Sequence, residues 1–357
     1  MNPGDRHHLS QMKTLEAMFH KELGIDQFYR ELIRFIDRNI PIADARPLTF
    51  KELQRIDEFT RSYFLNKTTE VERWIVRAYV LGKLVEQRER MPQKPIIDVE
   101  KLPSRVKDAV KKYSLTPTET RAIEWSHYRG AQHLTNATND TSNRVNNLIF
   151  ENLSEHKGHR ALRRALEEEM FTDRGEINRN WKRVAISESN TALNQGYIAT
   201  LKQGEFVLGY SMPDACDWCV THIKGKVYMV IDPDKVELEY EHLDPKGSEY
   251  RKRSWLWSNA IWRGKSNIGR SSAARKRKDP EIGNTPDNLE PREHHERWSP
   301  ITPGHVHCRC RVIRFNPDTM YVKDGKLEIK AMNPKAHKEW YDKMIGPTIK
   351  QFKQYIG

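Results

Sequence analysis

The chain has 357 residues and four cysteines, and the cysteines fall in just two places. Cys216 and Cys219 stand at C-x-x-C spacing, followed by His222 and the run Gly225-Lys226-Val227-Tyr228. Cys308 and Cys310 close the segment Pro303-Gly304-His305-Val306-His307-Cys308-Arg309-Cys310. A two-residue gap lets both thiolates of one turn reach the same ion, and an H-x-x-C pair downstream completes the soft donors that tetrahedral zinc takes. The preferred ligands are Cys216, Cys219, His305 and Cys308. Cys310 is an alternative to Cys308, and His307 or His222 an alternative to His305. Four protein ligands leave no position open for water, so the expected role of Zn2+ is structural. A redox C-x-x-C normally opens a helix that follows a strand, whereas this pair precedes a glycine turn and the β-prone run 226–231. The remaining reading is four buried, inert thiols.

Strands and helices must carry the two half-sites to one place. Residues 206–210 and 226–231 are β-prone, and Val312-Ile313-Arg314-Phe315 directly follows the last cysteines. These three runs predict a small sheet whose edge loops the metal pins. The ion would close a loop of roughly ninety residues, and such binding is worth on the order of 10 kcal/mol, comparable with the stability of a domain.

Upstream the pattern is helical. Leu15, Phe19 and Leu23, then Phe28, Leu32 and Phe35, recur at helical spacing and are separated by Gly24, which predicts two consecutive helices. Thr49-Phe50-Lys51-Glu52 is a capping box opening a helix over 50–65, and Thr69-Glu70-Val71-Glu72 opens another with Val71, Trp74, Ile75, Ala78, Leu81 and Val85 on one face. Residues 91–103 contain three prolines and read as a linker; a short helix over 105–113 follows. Thr116-Pro117-Thr118-Glu119 is a strong helix start, but the Asn/Thr-rich stretch 136–147 predicts a turn. Further helices are expected over 160–171 and 177–201. Glu188 on the latter is either a buried anchor or, as is commoner, a solvated surface residue. Past 316, Asp324-Gly325 marks a hairpin turn, and 334–355 a terminal helix. The fold class is therefore α+β and predominantly helical. The organisation expected is an N-terminal helical region 1–92, a linker with a short helix 93–115, a helical-plus-sheet domain 116–315 with an insertion over 232–301, and a hairpin-and-helix tail 316–357.

The order of helix, C-x-x-C, Gly-Lys-Val-Tyr and H-x-x-C-R-C resembles the Mu F-like family of phage minor head, or head morphogenesis, proteins. The last signature of that family is close to P-x-H-P-N-C-R-C, matched here by Pro303 to Cys310, and its Gly-Lys-Val-Phe by Gly225 to Tyr228. Its helical Arg-Thr-Glu is represented by Ile186-Ser187-Glu188, without the arginine, followed by Asn194-Gln195-Gly196. The resemblance spans about 116–314. It implies a non-enzymatic virion component inside the capsid near the portal, made in the host cytoplasm, with the portal protein, capsid or scaffold proteins and phage double-stranded DNA as partners.

Charge adds a partner class. The net charge is +12. Arg251, Lys252, Arg253, Arg263, Lys265, Arg270, Arg275, Lys276, Arg277 and Lys278 lie in one stretch without an acid and among Trp255, Trp257 and Trp262. Such a segment suits sequence-independent contact with DNA phosphates; a solvated loop, or docking to an acidic protein surface, would use the same charges. From 264 to 300 the composition predicts an irregular loop. The start of the chain has no apolar signal segment, and no run is long enough for a membrane span, so no membrane partner is expected. The alternative function is a zinc-stabilised DNA nuclease of His-metal type, drawing on Glu241-His242 and Glu293-His294-His295-Glu296 beside the basic loop. No ββα-metal motif with a clear general-base histidine can be assembled from them, and the H-x-E element of zinc deaminases is missing.

Overall fold

The computed structural model describes residues 3–40, 49–90, 97–155, 157, 159–213, 215, 219–220, 223–230, 256–257, 308–324 and 326–356. The elements in order are α1 (Pro3–Leu23), α2 (Ile25–Asn39), α3 (Phe50–Leu65), α4 (Thr68–Arg90), a 3-10 turn (Val99–Lys101), α5 (Val106–Tyr113), α6 (Pro117–Ser154), α7 (His159–Phe171) and α8 (Glu176–Ile198). Then come β1 (Phe206–Tyr210), β2 (Val227–Val230), β3 (Leu256–Trp257), β4 (Arg311–Phe315), β5 (Met320–Lys323), β6 (Lys326–Ile329), a second 3-10 turn (Lys330–Met332) and α9 (Pro334–Ile356). The α+β, mainly helical class read from the sequence is the one observed. Among the described residues no helix is long and apolar enough to cross a membrane.

Local sequence explains most boundaries. Gly24 adopts φ 67°, a left-handed conformation that costs glycine little, and so splits α1 from α2. Thr49 and Thr116 each form the reciprocal capping box read from the sequence, with Glu52 and Glu119 as partners. Asp324 takes φ 49° at the expected hairpin turn. Within the stretch read as a linker, Val99 and Leu102 are buried around the 3-10 turn, so residues 97–102 are part of the packed structure.

The turn expected over 136–147 does not exist; α6 runs unbroken for 38 residues. Its hydroxyls are satisfied inside the helix, with Thr138 Oγ1 donating to the Leu134 carbonyl at 2.8 Å and Thr141 Oγ1 to that of Ala137 at 2.7 Å. Ser142 Oγ instead donates to Asp57 Oδ1 on α3 at 2.7 Å. Packing overrides the weak helix propensity of this composition.

Helix α8 is the axis of the molecule. Every residue from Val184 to Ile198 is buried, and α1, α4, α6 and α7 pack around it. It meets α4 backbone to backbone. A Cβ at Gly82 would lie 1.8 Å from the Leu193 carbonyl oxygen, and one at Gly196 would lie 1.9 Å from that of Tyr79. One apolar core runs from Met12 on α1 through these helices to Val207, Val230 and Val312 on the sheet.

The sheet has the order β3-β2-β1-β4, antiparallel throughout, with Phe206 opposite Met229 on one side and Phe315 on the other. Strand alternation then divides its side chains. Val207, Val230 and Val312 face the helical core, while Phe206, Leu208, Met229 and Phe315 join a second core with Ile345 of α9. Trp257, in the insertion expected over 232–301, pairs with Met229 as part of β3. The β5–β6 hairpin packs beside α9 through Tyr321, His337 and Trp340.

Candidate metal centre

The first half-site is a knuckle between β1 and β2. The amides of Ile223 and Lys224 donate to the Cys219 carbonyl at 2.9 and 3.1 Å, and Gly225, at φ 73°, turns the chain into β2. Gly209 on β1 makes room for the knuckle, since a Cβ there would lie 2.3 Å from the Ile223 carbonyl oxygen. The Gly209 amide and carbonyl then bond Lys226 and Gly225 at 2.7 and 2.9 Å.

The second half-site lies just ahead of β4, and its backbone is gripped from two helices. Asn190 Nδ2 on α8 donates to the carbonyls of Cys308 at 2.9 Å and Cys310 at 2.7 Å. One turn along, Asn194 Oδ1 accepts from the Val312 amide at 2.9 Å, and the Tyr197 hydroxyl accepts from the Arg314 amide at 2.8 Å. These are the alternate backbone groups of β4 that point away from β1, so one stripe of α8 serves as the next strand would. From α1, His8 Nε2 donates to the Arg309 carbonyl at 3.3 Å, and Glu16 takes the Arg309 guanidinium at 3.1–3.3 Å. Burial drives His8 down to about 3, with Arg311 adding to the effect, so the ring is neutral. Burial also raises Glu16 above the usual carboxylate range, although Arg309 pulls against it.

Between the half-sites lie three thiols. Cys219, Cys308 and Cys310 are buried, with their sulfurs all within 4.8 Å of one another, and Cys219 and Cys308 are 3.6 Å apart. Zinc–sulfur bonds of about 2.3 Å in a tetrahedron place sulfurs about 3.8 Å apart, so this spacing suits a shared ion. The bond from Cys219 favours the Cys310 thiolate, but the Cys308 thiol and burial outweigh it and hold Cys310 above its ordinary pKa. A cation among the sulfurs would reverse that balance. The three buried cysteines could therefore hold a metal ion.

No family model, curated protein or solved structure matches the chain.

The structure brings together Cys219 and Cys308, which the sequence paired across 89 positions. It adds Cys310 to them, where the sequence offered Cys310 only in place of Cys308. Cys216, His222, His305 and His307 lie outside the described residues, as do all ten cations of the expected DNA-binding stretch, Arg251 to Lys278. His242, His294 and His295 of the nuclease alternative lie there too. Glu188 is not the surface residue of the commoner reading; it is fully buried, and its Oε1 lies 2.8 Å from His133 Nδ1 on α6. Sequence reasoning singled out Asn194 but missed Asn190 and Tyr197. Their signal is an amide, an amide and a phenol at i, i+4 and i+7, which shares one helical stripe.

Proposed function

We propose that this chain is a non-enzymatic minor head protein of the Mu F-like kind, held together by one structural zinc ion and acting inside the phage capsid next to the portal. The reading is carried by the meeting of Cys219 with Cys308 and Cys310 in a buried thiol cluster, because these residues belong to the two signatures on which the resemblance stands. In this reading the three thiolates supply three ligands, and the fourth comes from Cys216 or His305. The helix of the resemblance also has work to do, since Asn194 and its neighbour Asn190 hold the strand that carries Cys308 and Cys310. Zinc, when bound, contributes cohesion and no chemistry, as befits a buried centre with four protein ligands. The basic stretch Arg251 to Lys278 is proposed to lie along packaged double-stranded DNA.

The test is co-expression with the portal and scaffold proteins of the same genome, followed by purification of procapsids. The expected result is co-purification with portal and about one zinc per chain by elemental analysis. Failure to associate with portal or procapsid overturns the head-protein reading; metal-free protein with an unchanged melt overturns the zinc centre. Nicking of supercoiled plasmid with magnesium or manganese, abolished by substitution at His294 and His295, would favour the nuclease instead.

A further inference from the structure

Arginines crowd one pole of the helical body, where the end of α2 meets the start of α7. The two helices lie antiparallel: Tyr29 packs edge-on against Phe171 at 5.2 Å, while His159 lies 3.2 Å from Asp37 near the opposite ends. Arg163 also pairs with Asp37. Arg34 and Arg38 stand one turn apart on the exposed side of α2, and Arg160 and Arg164 one turn apart on the exposed side of α7. None of these four makes an ion pair among the described residues. Five arginines thus stand on these two helix ends with Asp37 between them, while Glu31 on α2 and Glu167 and Glu168 on α7 lie about one turn further along.

On α7 the placement opposes local stability, whereas Arg38 sits in the last turn of α2, where a cation suits the dipole. Cations are unfavourable at a helix N-terminus, where the macrodipole is positive, yet α7 has no acid in its first turn and places Arg160, Arg163 and Arg164 in its first six residues. Like charges at i and i+4 repel as well. A merely solvated face gains nothing from this arrangement, and residues that break a local rule without compensation mark function. The choice of arginine points to phosphate or carboxylate, which its planar fork matches. Apart from Phe171 at the far end, no large apolar side chain is exposed on either helix, so the surface lacks the apolar centre of a protein interface. It also lacks a row of aromatic rings on which single strands stack. Arginines one turn apart on each helix are about 6 Å apart along its axis, a rigid ridge of charge rather than a pocket.

We infer that this arginine pole is a second DNA-binding surface, separate from the basic stretch 251–278, which grips the phosphate backbone of duplex DNA without regard to sequence. It stands on α2 and α7 alone and holds whether or not the thiol cluster binds metal.

The experiment measures binding of the full-length protein to a fluorescently labelled mixed-sequence duplex over a series of salt concentrations. The variant carries Arg34→Ser, Arg38→Ser, Arg160→Ser and Arg164→Ser; a control loses four exposed cations of α5 and its cap through Arg105→Ser, Lys107→Ser, Lys111→Ser and Lys112→Ser. Each lost phosphate contact lowers the slope of log K against log salt by about 0.9, so a fall of about 2–4 is expected for the variant and less than about 1 for the control. Restoring the four positions as lysine should recover most of the slope. An unchanged slope or an equal loss in the control overturns the inference. Portal co-purification should be unaffected by the variant, so failure here is separable from failure of the head-protein reading.

Discussion

Replacing Asn190 by alanine should loosen the proposed metal centre without touching any of its proposed ligands. The side-chain Nδ2 donates two hydrogen bonds, to the carbonyls of Cys308 and Cys310, at 2.9 and 2.7 Å in a fully buried setting, and Oδ1 accepts a third from Asn194 Nδ2 at 3.0 Å. Alanine leaves both carbonyls without that donor, and an unsatisfied buried polar group costs about 1–3 kcal/mol. The sum, about 2–6 kcal/mol, is a large part of the stability of a domain. The same two bonds orient the backbone that carries two of the three thiols, and loss of such outer partners typically lowers metal affinity about 10- to 100-fold. Two assays read the two effects: guanidinium unfolding followed by tryptophan fluorescence, and competition for zinc against a chromophoric chelator. Asn136→Ala, at an exposed position on α6, serves as the control and should shift neither. If Asn190→Ala unfolds within about 0.5 kcal/mol of wild type and keeps its zinc affinity, then α8 does not position the second half-site and the reasoning fails.

Other outcomes follow from the same geometry. Cys219→Ser, Cys308→Ser and Cys310→Ser should each lower the zinc content, and all three should melt alike once a chelator is present; a Cys310→Ser protein with full zinc and a wild-type melt would show that Cys310 is not a ligand. Gly82→Ala and Gly196→Ala force a Cβ to within 1.8 and 1.9 Å of a carbonyl oxygen across the α4–α8 contact, so each should cost at least the ~3 kcal/mol of severe overpacking. Gly346→Ala, whose Cβ meets nothing beyond its chain neighbours closer than 3.8 Å, should cost far less than either, and equal behaviour of the three would be contrary. His8 is neutral in the fold, with a pKa near 3 against 6.5 when free. The unfolded chain therefore binds the extra proton between those values, and stability should fall as pH drops through that window, by up to about 1.4 kcal/mol per unit. Melts recorded from pH 7 to 4 should slope less for His8→Gln, and parallel slopes would place the acid sensitivity elsewhere.

How much of this was legible in the chain depends on the range of the interaction. The starts of α3 and α6 and the split at Gly24 are written within four residues, and the capping boxes and the left-handed glycine appear as read. The C-x-x-C and C-R-C elements announce a shared site through composition and spacing. The continuity of α6 was not legible, because a run of Thr and Asn reads as a turn unless its hydroxyls are known to turn back on the helix. Nor was the burial of α8, whose polar run from Ser187 to Gln195 looks like a solvent-facing helix. Its partners on β4 and just ahead of it lie 117 to 120 positions downstream, and nothing local in either segment names the other.

The way α8 lies against β4 also bears on how the protein behaves when damaged. The outward amides of Val312 and Arg314, normally the sticky rim at which a sheet recruits foreign strands, are occupied by Asn194 and Tyr197. Side chains, unlike a strand, can be lost one at a time. A lesion in α8 would therefore do more than weaken the core; it would unseal that rim and turn a closed sheet into a template for aggregation, starting from β4.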